Sequence, residues 1–243
     1  MSVAFGVDIG GTGIKAAPVD VTTGRLKADR IKLPTPHPAA PDAVVGVVRQ
    51  LIDDFGWSGP VGVTFPGVVT GGVVRTAANM DQRWISVDAG DMLARATGQQ
   101  VTVLNDADAA GMAEMKFGAG VGHRGTVLII TLGTGIGSAL FYEGVLVPNT
   151  EFGHIQIHGE DAEKRASEHA REVHELSWGK WASRVDDYLD KIEELLSPDL
   201  IIIGGGVSRK SDRFLPMLSL RAKVVPAALL NDAGIVGAAM AAA

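Results

Sequence analysis

The chain has 243 residues, no cysteine and a formal net charge of −6. The missing cysteines exclude disulfides and thiolate metal sites, and the acidic balance argues against bulk nucleic-acid binding. With 46% apolar residues, 21% charged residues, 31 glycines and only 5% aromatics, the composition is that of a soluble α/β chain of one large or two small domains, of the kind found in the cytoplasm.

Val3 to Val7 reads as a strand that runs into Asp8-Ile9-Gly10-Gly11-Thr12-Gly13-Ile14-Lys15, and Ile14 to Val19 as its return. Asp8 interrupts the apolar start too early for a signal peptide, and no uncharged apolar run reaches membrane-spanning length, so no membrane association is expected. Pro34 to Pro41 is a loop. Asp42 is the expected N-cap of a helix running to Phe55, and Val61 to Phe65 is a strand ended by Pro66-Gly67. Val87 to Thr97 reads as a helix stopped by Gly98. Val101 to Leu104 is a short buried strand that runs into Asn105-Asp106, and Ala107 to Phe117 is the helix after it.

A second strand pair, Thr126 to Leu132 and Ser138 to Tyr142, flanks Gly133-Thr134-Gly135-Ile136-Gly137. Val145 to Val147 adds a strand. Glu160 to Leu196 is charged and helical in period, with Leu189, Ile192, Leu195 and Leu196 as one apolar stripe, and Ser197-Pro198 ends it. Leu200 to Ile203 is a fully apolar strand that delivers Gly204-Gly205-Gly206. Ala233 to Ala242 is a last helix of small residues with Asp232 near its N-cap.

Five segments carry chemistry. In both glycine turns a buried strand ends where backbone N–H groups can approach an anion with no Cβ in the way. In the first, Gly10, Gly11 and Thr12 would give donors, Lys15 charge, and Asp8 a hold on Mg²⁺ or its water. A plain Gly-Gly hairpin is the alternative, but Asp before Gly-Gly-Thr with a following Lys favours a phosphate site. The second turn is no dinucleotide fingerprint, since a strand follows it and no ribose-binding acid does. Asn105-Asp106, at a strand exit, suits a base that takes a proton from a hydroxyl attacking phosphorus, or equally a helix cap. Glu151 and His154 could bind neighbouring hydroxyls of a sugar. The Gly204–Gly206 corner is either the floor of a phosphate cleft or a tight turn. Arg209, Lys210, Arg213, Arg221 and Lys223, and the smaller Lys164-Arg165 pair, could line a polyanion path or form solvated faces.

Taken in order, these motifs resemble the ROK family of sugar kinases, and within it the polyphosphate-dependent glucokinase branch. Thr64 to Val69, Ala78 to Trp84 and Asp161 to Glu168 are similar to that branch. The resemblance implies a two-lobed actin-like ATPase (ribonuclease H-like) α/β fold with the active site in the interlobe cleft. Residues 1–105 plus 232–243 would form the small N-terminal lobe and 106–231 the large C-terminal lobe. The implied activity is phosphorylation of glucose, or mannose, at the 6-hydroxyl by inorganic polyphosphate or ATP with Mg²⁺.

By the same resemblance, Asp106 is the catalytic base, and Gly67, Asn79, Asn105, Glu151, His154 and Glu168 bind the sugar. Asp8, Gly10, Gly11, Thr12, Lys15, Thr134, Gly135, Gly205 and Gly206 bind phosphate or nucleotide. Many members carry a Cys-rich zinc loop after the His; its counterpart here, Gly159 to Glu168, is charged and helical, so no zinc is expected. A homodimer is implied. A strictly ATP-dependent hexokinase and a catalytically silent sugar-binding protein are the alternatives. A sugar-sensing repressor would need a DNA-binding helix-turn-helix before Asp8, where no room is expected.

Overall fold

The structure is a computed structural model and describes residues 2–78 and 80–243. The chain divides into two compact units, one formed by Met1–Ala113 with Asp232–Ala243 and the other by Glu114–Asn231.

The first unit is built on the antiparallel pair β1 (Val3–Ile9) and β2 (Ile14–Asp20), in which Asp8 stands opposite Lys15. Short strands β3 (Arg25–Leu26) and β4 (Ile31–Leu33) pair with β2. After α1 (Pro41–Asp54), β5 (Val61–Phe65) joins β1 in parallel. A hairpin of β6 (Val69–Thr70) and β7 (Val73–Val74) and helix α2 (Ala89–Thr97) lead to β8 (Val101–Asn105), parallel to β5. The sheet order is β3-β2-β1-β5-β8. Every residue of β5 is buried, as a strand covered on both faces requires.

Helix α1 starts two residues earlier than its sequence pattern suggests. Ala40 is the N-cap, Pro41 fills the first turn where an N–H has no helical partner anyway, and Asp42 lies inside that turn, where its charge favours the helix dipole. Its apolar side chains Val44, Val45, Val48, Leu51 and Ile52 are buried with Phe5, Val7 and Val63, each stabilising the unit by about 1.5–3 kcal/mol.

The C-terminal helix Ala233–Ala242 packs on β1 and β5. A Cβ on Gly6 would overlap the carbonyl of Ile235, one on Gly62 that of Ala238, and one on Gly237 that of Ala109. Asp232 does not cap this helix through its side chain; it is ion-paired with Arg30 instead.

The second unit repeats the pattern of the first. Strands β9 (Thr126–Leu132) and β10 (Ile136–Tyr142) are antiparallel, β11 (Val145–Val147) extends β10, and β14 (Leu200–Gly204) and β15 (Lys223–Pro226) add in parallel on the other side. The expected helical stretch 160–196 is in fact subdivided. Strand β12 (Gln156–Ile157) pairs with β13 (Glu160–Asp161), and then come α4 (Ala162–Ala166), α5 (Glu168–Val173) and α6 (Trp178–Leu196). Serines divide the helices: Ser167 accepts from the N–H of Ala170 and Ser177 from that of Lys180, each starting a new helix. The buried face of α6 is Trp181, Ala182, Val185, Tyr188, Leu189 and Ile192, while Leu195 points to solvent at 61% exposure.

Two buried glutamates fasten this unit. Helix α3 (Asp106–Phe117) carries Glu114, whose carboxylate accepts from the backbone N–H groups of Ala119, Ala228 and Leu229. Glu193 of α6 accepts from Arg221 Nε at 2.8 Å and from the N–H groups of Arg221 and Ala222.

Two outcomes are expected. Gly62→Ala forces a backbone carbonyl of the C-terminal helix out of register and should cost about 3 kcal/mol, read as a lower urea midpoint. Burial alone would raise the Glu193 carboxyl, but its hydrogen bonds from Arg221 and Ala222 outweigh that and hold it below its ordinary value. A depressed carboxyl stabilises the fold above its unfolded pKa and loses that contribution as pH falls through the folded one. Thermal unfolding of Glu193→Gln should therefore show a shallower loss of stability with acid than the parent chain.

Candidate active site

The first glycine turn is closed by a hydrogen bond from Gly10 N–H to the Gly13 carbonyl at 3.1 Å, and Thr35 Oγ1 donates to the Gly10 carbonyl. Gly11 faces open space and Thr12 is exposed, so the tip of the turn is clear. Behind it lies a relay. Ile9 N–H donates to Thr64 Oγ1 at 3.1 Å, and Thr64 Oγ1 donates to Asp8 Oδ1 at 3.0 Å. The other Asp8 oxygen takes Lys15 Nζ at 3.1 Å. Thr64 is fully buried on β5, which is what aims Asp8. The Lys15 charge is thus spent on Asp8, and the turn offers an anion backbone N–H groups more than net charge.

In the same unit, Asn105 ends β8 and Asp106 opens α3. Asn105 is buried and does two jobs: its Oδ1 accepts from Asp108 N–H at 2.9 Å, capping the helix, and its Nδ2 donates to the Gly67 carbonyl at 3.1 Å. A Cβ on Gly67 would overlap the carbonyl of Thr76, so only glycine fits there. Asp106 is half-buried, and its Oδ1 accepts from Ala107 N–H at 2.8 Å. Asn79 lies outside the described residues.

In the second unit, the Gly133–Gly135 turn is closed by Gly133 N–H to the Gly135 carbonyl at 3.0 Å, and Thr134 at its tip is exposed. His169 N–H, at the start of α5, donates to the Gly133 carbonyl at 3.0 Å. Gly205 has φ +85° and packs so closely on Leu132 that a Cβ would overlap its backbone. Ser208 Oγ holds the Gly205 carbonyl at 2.8 Å, and Gly206 faces the Glu168 carboxylate. Turn, glycine corner and Glu168 therefore form one group. Burial, with the neighbouring Glu172 charge, raises the Glu168 carboxyl above its ordinary value against the pull of Lys210 and Arg171.

Glu151 and His154 flank a single 3₁₀ turn, with His154 Nε2 3.7 Å from Glu151 Oε2. Sequence reasoning missed what holds this turn. Buried Ser138 on β10 donates to the Thr150 carbonyl at 2.7 Å and accepts from Phe152 N–H at 3.0 Å, while Thr150 Oγ1 returns a bond to the Ser138 carbonyl. Gly153 leaves room for the Ile136 carbonyl, and Glu163 on α4 accepts from the N–H of the same Ile136 at 3.4 Å. The only sequence signal for Ser138 is a polar residue in an otherwise apolar strand.

The basic segments are not one path. Arg221 is held by Glu193, Arg165 by Glu160 and Lys164 by Asp161. Arg171, Lys210 and Arg213 instead gather on the Trp178 ring, with Arg171 Cζ 4.5 Å, Lys210 Nζ 5.9 Å and Arg213 Cζ 5.9 Å from its centroid. Each such contact is worth about 0.5–1 kcal/mol at an exposed site.

Among the described residues no group of three or more His, Asp or Glu could hold a metal by itself. A divalent cation that keeps waters and phosphate oxygens needs only one or two carboxylates, and Asp8, at the edge of a clear glycine turn, fits that demand. Thr64→Val should remove both ends of the relay to Asp8 and destabilise the chain by about 1–3 kcal/mol, whereas Thr64→Ser restores it, as judged by urea unfolding.

A family model described as "ROK family" matches residues 4–170. The polyphosphate glucokinase of Mycobacterium tuberculosis (strain ATCC 25618 / H37Rv) is 56% identical over 238 residues, 98% of this chain and 90% of that protein. The inorganic polyphosphate/ATP-glucomannokinase of Arthrobacter sp. strain KM has a TM-score of 0.97 at 48% identity, covering 99% of this chain and 98% of that one. A ROK family glucokinase from Streptomyces griseus, solved with glucose and AMPPNP, has a TM-score of 0.84 at 27% identity over 98% of both chains. The fold is the two-lobed actin-like ATPase fold, and the chain belongs to the ROK family.

Proposed function

We propose that the chain transfers the terminal phosphoryl group of inorganic polyphosphate or ATP to the 6-hydroxyl of glucose, with mannose as a further acceptor. The observation that carries this reading is Asp106, a half-buried carboxylate at the exit of β8, set at the head of its helix beside an Asn105 that is bonded to both Asp108 and Gly67. The names of the mycobacterial and Arthrobacter relatives support both the acceptor and the choice of donors.

Asp106 accepts the proton of the 6-hydroxyl as its oxygen attacks the terminal phosphorus. The new O–P bond forms while the bridging P–O bond breaks, leaving a polyphosphate one unit shorter, or ADP. Such a transfer asks for alignment and charge neutralisation more than covalent chemistry. Gly10, Gly11 and Thr12 on one turn and Thr134 and Gly135 on the other hold the phosphates. Gly205 and Gly206 border the distal part of the donor. Asp8, fixed by Lys15, would hold a Mg²⁺ that travels with the donor, and the ion would supply charge neutralisation.

Asn105, Glu151 and His154 bind the sugar hydroxyls, with Gly67 near the ring. Glu168, which faces Gly206, is the last of the sugar ligands in this reading. The first unit serves as the N-terminal lobe and the second as the C-terminal lobe. A cytoplasmic homodimer is part of the same reading, open to fractionation and light scattering; no helix among the described residues is long and apolar enough to cross a membrane.

The test is glucose 6-phosphate formation with polyphosphate alone and with ATP alone. Product is expected from at least one donor, and none from either would refute the reading. Asp106→Asn should lower kcat by at least about 10²-fold while glucose still binds; near-normal turnover would remove Asp106 from its role as base.

A further inference from the structure

The Trp178 cluster stands apart from the other basic residues because most of its charge is not spent in ion pairs, although Lys210 and Arg171 also feel the Glu168 carboxyl. Among the described residues neither Lys210 nor Arg213 is ion-paired to a carboxylate, while Arg171 shares its charge with exposed Glu172 at 3.6 Å. Lys210 and Arg213 are exposed, and Arg171 and Trp178 are half-buried. Trp178 is itself fixed, with Trp181 edge-on at 5.8 Å and Phe214 stacked at 6.3 Å. Trp181 Nε1 in turn donates to the carbonyls of Ala166 and Ser167 at the junction of α4 and α5. An aromatic pedestal thus holds three long cationic side chains near one place before any anion arrives, which lowers the entropy lost when one binds.

The cluster is also tied to the second glycine turn along two short stretches of chain. His169, whose N–H binds the Gly133 carbonyl, is two residues before Arg171 on α5. The Gly205–Gly206 corner opens the 3₁₀ segment Gly206–Arg213 that carries Lys210 and Arg213. An anion seated on Gly133–Gly135 and continuing past Gly206 runs toward these cations. A purine suits this place poorly. The Trp178 ring already carries a guanidinium 4.5 Å from its centroid, which a stacking base would have to displace. Repeated negative charge suits it well.

We propose that Arg171, Lys210 and Arg213, gathered on Trp178, form the seat for the distal phosphates of an inorganic polyphosphate chain whose terminal phosphate lies at the Gly133–Gly135 turn. The proposal rests on the reading that polyphosphate is a donor, and it assigns the choice of donor to a place remote from the reacting phosphorus. Chains with phosphates beyond those held at the turn engage the seat more fully than tripolyphosphate or ATP.

The test is the double variant Lys210→Gln with Arg213→Gln, two exposed positions that leave the buried aromatic group in place. A charge-matched control is Arg49→Gln with Arg95→Gln, on the surfaces of α1 and α2. The KM for long-chain polyphosphate should rise about tenfold at low salt with little change in kcat, and the difference should narrow as salt is added. The ATP-supported kcat/KM should fall less than about threefold. The parent's preference for long over short chains should flatten in the variant and persist in the control.

An equal loss with both donors, or an unchanged KM for long polyphosphate, overturns the seat. If the parent makes no glucose 6-phosphate from polyphosphate, the functional reading fails separately. Titration with long-chain polyphosphate, followed by tryptophan fluorescence, then decides the seat alone: binding by the parent and control that weakens in the variant supports it, and equal or absent binding overturns it.

Discussion

The close approach of the C-terminal helix to the first sheet is the constraint on which the rest of that unit depends. Ile235 and Ala238 turn their carbonyls onto β1 and β5 at positions where only Gly6 and Gly62 leave room. The helix itself is built of small residues, so backbone lies almost against backbone, and dispersion contacts replace the interdigitation of large side chains. Such an interface has little freedom to slide. It brings Gly234 directly over the Asp8 carboxylate, so the first turn of this helix also borders the first glycine turn.

The polar side chains of the candidate site are then delivered by strand ends. Thr64, one residue before the end of β5, aims Asp8 from the neighbouring β1, and Asn105, at the end of β8, spans from the head of α3 to Gly67. Each of these polar side chains is buried or nearly so, and each has its capacity met by a named partner, which is what keeps a buried polar group from destabilising its surroundings. The second unit repeats the plan with Ser138 in place of Thr64: a buried strand hydroxyl whose bonds go to the loop that holds Glu151 and His154.

Much of this was legible in the sequence, because strands of a doubly covered sheet are continuous apolar runs and because glycines mark turns. Val61–Phe65 and Thr126–Leu132 were readable to the residue for that reason. The subdivision of 160–196 was not, since the charge pattern continues unbroken across Ser167 and Ser177 and only the serine caps divide it. Nor could spacing reveal that Arg221 belongs to Glu193, or that Lys210 and Arg213 meet Trp178, a residue with no motif around it. Those pairings join segments far apart in the chain, and a linear count of charge cannot tell a spent cation from an available one. Glu163 stayed hidden in the same way, one acid among several on a charged stretch.

Glu114 has a consequence of another kind. The second unit begins at Glu114 and ends at Asn231, and the carboxylate of its first residue grips the backbone of Ala228 and Leu229 just before its last. Its entry and exit therefore meet at one side chain. A stretch of chain whose ends are already stapled loses little entropy when the rest of the polypeptide is joined to it elsewhere. In topological terms the unit is an insert, a cassette that could be excised, permuted or grafted as one piece provided Glu114 travels with it.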